Sequence, residues 1–188
     1  MLHVHGALFT SWILLFLSQT TLVAAGRTDL HRRLGVAGAL LALVMPVIGM
    51  VVAIEAARRG VTPAGGPAPL VFLVVPIFDL LLFTTLAWTG LYFRRTKDTH
   101  KRLMLLATIS LLTPAIARLP GIISAGPPAF FGLTDLRVIA CLVYDRVSRG
   151  RIHPAFFWGG LFVIASQPLR LLIGGTGAWL AFATWLTR

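Results

Sequence analysis

Six apolar runs separated by short basic clusters restrict this chain more than any other feature. They are Ala7 to Ala25, Leu34 to Ile54, Leu70 to Phe93, Leu103 to Ile123, Ala129 to Val143 and Ala155 to Ile173. At about 1.5 Å per residue, most of them cross roughly 30 Å of bilayer hydrocarbon when helical. With 57% hydrophobic and only 12% charged residues in a chain of 188, one soluble core cannot enclose that much apolar surface. Lipid has to cover it. The expected fold is all-α: a single domain, 1–188, forming an integral membrane bundle of six transmembrane helices. A short C-terminal interfacial helix, Thr176 to Leu186 with Trp179 and Trp185, follows Gly174 and Gly175. The fifth run is short and carries Asp135 and Arg137, so a re-entrant or interfacial piece is an alternative there.

Charge orients the bundle. If all six runs cross, one side holds Arg27, Arg32, Arg33, Arg94, Arg95, Lys97, Lys101, Arg102, Arg146, Arg149 and Arg151, and the other only Arg58, Arg59 and Arg188. The positive-inside rule makes the first side cytoplasmic and puts the N-terminus outside. A crossing of five would strand Arg146 to Arg151 outside. The net charge of +11 sits in these clusters rather than along one face, so it argues for lipid headgroups and against nucleic acid. The first run ends in Ala24-Ala25-Gly26 like a cleavable leader, but no basic residue precedes it, so a retained helix is expected. An N-terminus starting outside raises the expectation that homologues carry an extra first helix. Residues 60–69, rich in Gly and Pro, read as an outer loop. One cysteine, Cys141, rules out a disulfide framework and a multi-cysteine metal site.

Three inner helix openings echo one another: TDLHRRLGVAGALLAL, KDTHKRLMLLATISLL and GRIHPAFFWGGLFVI. Each puts one histidine, His31, His100 or His153, at a helix start, with Asp29 and Asp98 or Thr99 as expected N-caps and Pro154 suited to the first helical position. Positive helix ends and neighbouring arginines favour the neutral imidazole, the form that binds metal or haem iron. His5, His31, His100 and His153 are therefore candidate haem or metal ligands, with haem b the cofactor to consider. The alternative is an interfacial collar in which Arg32, Arg33, Arg94, Arg95, Lys101 and Arg102 contact anionic lipid at the cytoplasmic face.

Charge inside lipid is costly and marks a site or a structural pair. His5, Asp79, Arg118, Asp135, Arg137 and Arg170 form the candidate intramembrane cluster in the outer half. Similar depth on consecutive helices predicts an Asp79–Arg118 pair, and a partner for Asp135 in Arg118 or Arg137. Pro46, Pro76, Pro114 and Pro168 fall at a similar level, each freeing a backbone carbonyl that can line a polar cavity.

These residues resemble an uncharacterised family of bacterial membrane proteins, known as a domain of unknown function. Its pattern is carried here by His3 or His5 with Gly6, by Gln19, by Leu30-His31-Arg32-Arg33-Leu34-Gly35, and by His100-Lys101-Arg102-Leu103-Met104 with Arg118. The resemblance implies a multi-pass protein of the bacterial inner membrane and no particular reaction. Histidines at helix ends also look loosely like cytochrome b561-type haem bundles. A soluble-type enzyme is not expected, since there is no Gly-rich phosphate loop, Ser/His/Asp set or repeated metal motif. Binding of haem or a small ligand, or service as a non-catalytic accessory subunit beside other membrane subunits, are the expected functions.

Overall fold

Proline and glycine set where the helices begin and end. In the computed structural model, which describes residues 2–63, 66–122 and 124–188, the elements are α1 (Leu2–Ala24), α2 (Thr28–Arg58), α3 (Pro69–Phe72), α4 (Val74–Tyr92), α5 (Lys97–Ala117), α6 (Pro127–Arg149), α7 (Pro154–Gly174) and α8 (Gly177–Leu186). No strand occurs among the described residues. Proline occupies the first turn of α3, α6 and α7, where a missing N–H costs nothing. The α6 helix stops at Gly150, whose φ of 70° is left-handed and closed to most other residues. Thr176 caps α8 by accepting a hydrogen bond from the Trp179 N–H at 3.2 Å.

Five helices are long and apolar enough to cross a membrane: α1, α2, α3 continued into α4, α6 and α7. Several boundaries differ from those expected. The α5 helix begins at Lys97 and ends at Ala117, because Pro120 disfavours helical backbone before it. The expected end of that run, Ile123, lies outside the described residues, as do residues 64 and 65 of the Gly- and Pro-rich loop. The α6 helix runs past Val143 to Arg149, because Asp145 is buried and paired rather than solvated. At 23 residues α6 is long enough to cross, so the shortness behind the re-entrant alternative is gone, while Asp135 and Arg137 remain within it. Pro46, Pro114 and Pro168 lie inside α2, α5 and α7, whereas Pro76 sits in the first turn of α4 and interrupts no ladder.

The chain divides into two compact units, Met1–Val52 and Ala53–Arg188, with the boundary inside α2. In the first, α1 and α2 approach where Gly38 faces Leu15. In the second, α5 touches α4, α6 and α7, while α7 also touches α4 and α6. The α5 helix is thus surrounded, and buries Arg102, Thr108, Ser110 and Thr113 among apolar neighbours. Close approach is permitted by Gly90, Gly159 and Gly160: an added Cβ would fall 2.9 Å from Met104 Sδ, 2.5 Å from Leu106 Cδ1 and 2.8 Å from Val138 Cγ1, respectively. The α8 helix packs on α3 and α7, with the Trp179 indole N–H donating to Leu70 O at 2.8 Å. Arg58 Nε donates to Thr187 O at 2.9 Å.

Candidate ligand-binding site

Two buried charge pairs clamp the four-helix part of the second unit. The first joins Asp79, five residues into α4, to Arg170, four residues before the end of α7. Arg170 is 1% exposed and Asp79 5%, and Arg170 Nη1 donates to Asp79 Oδ1 at 2.5 Å. Arg170 also donates from Nη2 to Ser166 Oγ at 3.0 Å and from Nε to Ser166 O at 3.3 Å, and its guanidinium lies over the rings of Phe78 and Phe131. Asp79 Oδ2 is buried and has no hydrogen-bond partner among the described residues. A carboxylate in such a place is incompletely satisfied, which is uncommon enough to require an explanation.

The second pair joins Arg102, five residues into α5, to Asp145, four residues before the end of α6. Arg102 engages both carboxylate oxygens, with Nε to Oδ2 at 2.8 Å and Nη2 to Oδ1. Its Nη1 donates to Asp98 O at 2.8 Å, and Phe156 lies against the guanidinium. Asp145 Oδ2 accepts the His153 N–H at 3.1 Å. Asp98 Oδ1 takes Lys101 at 2.8 Å, Arg149 at 2.9 Å and Arg102 at 3.2 Å. Hydrogen bonds from Lys101 first, and then Arg149, hold the Asp98 carboxyl well below the ordinary carboxylate range. A cleft of about 370 Å³ opens beside this network, bounded by Asp98, Arg149, Arg151 and His153.

These placements correct several expectations. Asp79 pairs with Arg170 and not with Arg118. Arg118 is the exposed C-cap of α5 and donates to Pro114 O at 2.7 Å, because α5 starts six residues earlier than the apolar run and so reaches its C-terminal end there. Asp135 pairs with neither Arg118 nor Arg137: it accepts from Gln167 Nε2 at 2.6 Å, while Arg137 is exposed and donates to Leu133 O at 2.7 Å. Arg102 is no headgroup contact, being 2% exposed, whereas Arg32, Arg33, Arg94, Arg95 and Lys101 are exposed. The N-cap of α5 is Thr96, without a side-chain bond, so Asp98 serves as a charge partner instead of a cap. Asp145, Gln167 and Ser166 were missed by sequence reasoning. The only signal for Asp145 was an acid standing among Arg146, Arg149 and Arg151.

The histidines are divided between the two units, His100 and His153 falling in the second. His5 and His31 belong to the first unit, where the His5 ring lies 4.1 Å from that of Phe9. Gln19 Oε1 in that unit is buried without a hydrogen-bond partner among the described residues. His100 Nδ1 lies 2.8 Å from Gly90 O, and since a carbonyl only accepts, Nδ1 carries the proton. His153 Nδ1 instead accepts the Ala155 N–H at 3.1 Å and caps α7, so that nitrogen is unprotonated. Burial first, and then the charge of Arg102, push this imidazole below its ordinary value. Among the described residues no three His, Cys, Asp or Glu side chains are placed to hold a metal ion.

An all-helical bundle with five helices of membrane-crossing length and charge pairs buried in its interior is the class these features define. No family model matches the sequence, and no curated protein or solved structure matches it either.

Proposed function

We propose that this is a six-span protein of the bacterial inner membrane, N-terminus outside, that binds a small ligand at the Asp79–Arg170 pair. The observation that carries the reading is Asp79 Oδ2, buried and open to one more hydrogen bond. Beside the pair, an apolar groove of about 180 Å³ between α4 and α7 is lined by Phe78, Phe162 and Leu169, with Ser166 as its polar group. Ser166 Oγ is the atom that holds Arg170 Nη2. The proposed ligand has a small apolar body that fills this groove and a donating head, an alcohol or an amine, that reaches past Phe78 to Asp79 Oδ2.

Crossing by α5 completes the six spans. Its 21 residues reach about 32 Å, and its polar side chains face α4, α6 and α7 rather than lipid, so a low apolar content does not bar it from the bilayer. Positive residues at Arg32, Arg33, Arg94, Arg95 and Lys101 then form a cytoplasmic collar for anionic lipid.

Thermal unfolding of the detergent-solubilised protein across short alkanols and alkylamines tests the ligand site. At least one should raise the melting temperature of the wild type and leave Asp79→Asn unchanged. Equal responses, or none in the whole series, would remove the reading.

A haem reading has one observation in its favour: the Nδ1–H donation of His100 to Gly90 O is the outer bond that orients a histidine whose Nε2 ligates iron. His153 does not fit, because capping through Nδ1 places the proton of its neutral ring on Nε2. A Soret band lost in His100→Ala supports haem b; a colourless protein from haem-replete cells ends it.

A further inference from the structure

Arg137 stands at the middle of α6, ten residues from Pro127 and twelve from Arg149, and its side chain is exposed. With α6 crossing the bilayer, its Cα lies about 15 Å from the outer end of the helix. An arginine side chain extends only about half that distance, so snorkelling leaves the guanidinium below the headgroups. A lone charge at that depth facing hydrocarbon is costly. One backbone carbonyl, Leu133 O, is its partner among the described residues, and the remaining N–H donors of the guanidinium are left over.

The same side of α6 presents Leu136, Ile139, Val143, Tyr144 and Val147, between 46% and 80% exposed. Spacings of three and four residues make them one stripe along the helix, and Arg137 borders it. The stripe by itself suits lipid; the arginine does not.

None of the chain's six acids can answer it. Asp79, Asp98 and Asp145 are engaged by Arg170, by Lys101 with Arg149, and by Arg102. Asp29 and Glu55 lie at the ends of α2, beside Arg27 and Arg59. Asp135 is at the right depth, but two residues along a helix turn it about 200° away, and it is bonded to Gln167 on α7. A second copy docking through the same face therefore brings no carboxylate to Arg137: its Asp79 is buried and its Asp135 is turned toward Gln167 on α7.

We propose that the Arg137 face of α6 docks a transmembrane helix of a different protein, one that carries a single Asp or Glu at mid-bilayer depth. The acid meets the guanidinium in a bidentate pair, and apolar side chains a turn above and below it cover the Leu136 to Val147 stripe. This rests on α6 crossing the bilayer and is independent of the Asp79 site.

The test reconstitutes the full-length protein in lipid bicelles with a synthetic Leu-rich transmembrane peptide bearing one central Asp, and measures association by energy transfer. Peptides with central Asn or Ala are controls. The Asp peptide should bind about ten-fold tighter than the Ala peptide, and Arg137→Leu should erase the difference. That variant removes a charge from a lipid-facing position, so folding is not at risk. A photo-crosslinker at Ala140 in native membranes should give an adduct that Arg137→Leu abolishes, while one at exposed Leu172 on α7 gives none. Equal binding of the Asp and Ala peptides, or an Arg137→Leu variant that still prefers the Asp peptide, overturns the proposal. If phosphatase fusions after Ala125 and Arg151 fall on the same side, the crossing of α6 fails instead, and the two failures are told apart.

Discussion

Arg170 ties α7 to α4 through Asp79, and its guanidinium lies over the rings of Phe78 and Phe131. Removing one member of a buried pair strands the other in low dielectric, at a cost of about 3–5 kcal/mol. Arg170→Ala should lose stability on that scale in detergent unfolding, and Asp79→Asn with Arg170→Gln should recover part of it. Arg118→Ala, by contrast, removes an exposed end-of-helix charge and should fall within about 0.5 kcal/mol of wild type. The His153 cap supplies a pH dependence. Its folded pKa lies below the ordinary 6.5, so as pH falls through 6.5 the unfolded chain takes up a proton that the fold resists. Stability is full above that value and declines as pH drops toward the folded pKa. Asp98 acts further down: its depressed carboxyl stabilises above the ordinary 3.8 and is lost as pH falls below it. His153→Asn keeps a capping side chain without a titrating ring, and should flatten the step just below 6.5 while leaving the deeper acid loss.

At the scale of helices, the two pairs work at opposite ends. Each joins the first turns of one helix to the last turns of its neighbour, α4 with α7 and α5 with α6, so sliding of either pair breaks a buried contact. Between them glycine sets the spacing. Gly160→Ala would press a methyl against Val138, which is fully buried and branched, and should cost about 1–3 kcal/mol. Gly132→Ala, with nothing within 4 Å of the new atom, should instead gain about 0.5–1 kcal/mol from helix propensity. Unfolding curves for the two variants check both signs. Helices and their rough limits were legible because apolar runs and Pro/Gly stops are local properties. Partners were not. Depth along a helix can be counted, and it put Asp79 and Arg170 at one level, where they meet. Which way Asp79 faces depends on how α4 rolls against α7, and that chose Arg170 over Arg118. Arg102 looked like one more collar residue for the same reason: its burial comes from Asp145, 43 residues away in sequence.

Across the second unit, burial explains the distribution of polarity. The α5 helix is polar where α4, α6 and α7 enclose it, burying Arg102, Thr108, Ser110 and Thr113. The polar and charged content of α5 leaves it out of the five helices apolar enough to cross, although its place among three neighbours makes it the axis of the group. If it crosses in the proposed orientation, Arg102 and Asp145 lie at the cytoplasmic end and Asp79 and Arg170 in the outer half, and every basic cluster but Arg58-Arg59 falls on one side. Phosphatase fusions after Arg95 and after Ala125 bracket α5 and decide this directly. An inactive fusion at Arg95 and an active one at Ala125 are expected; activity at both sites, or at neither, would contradict the crossing.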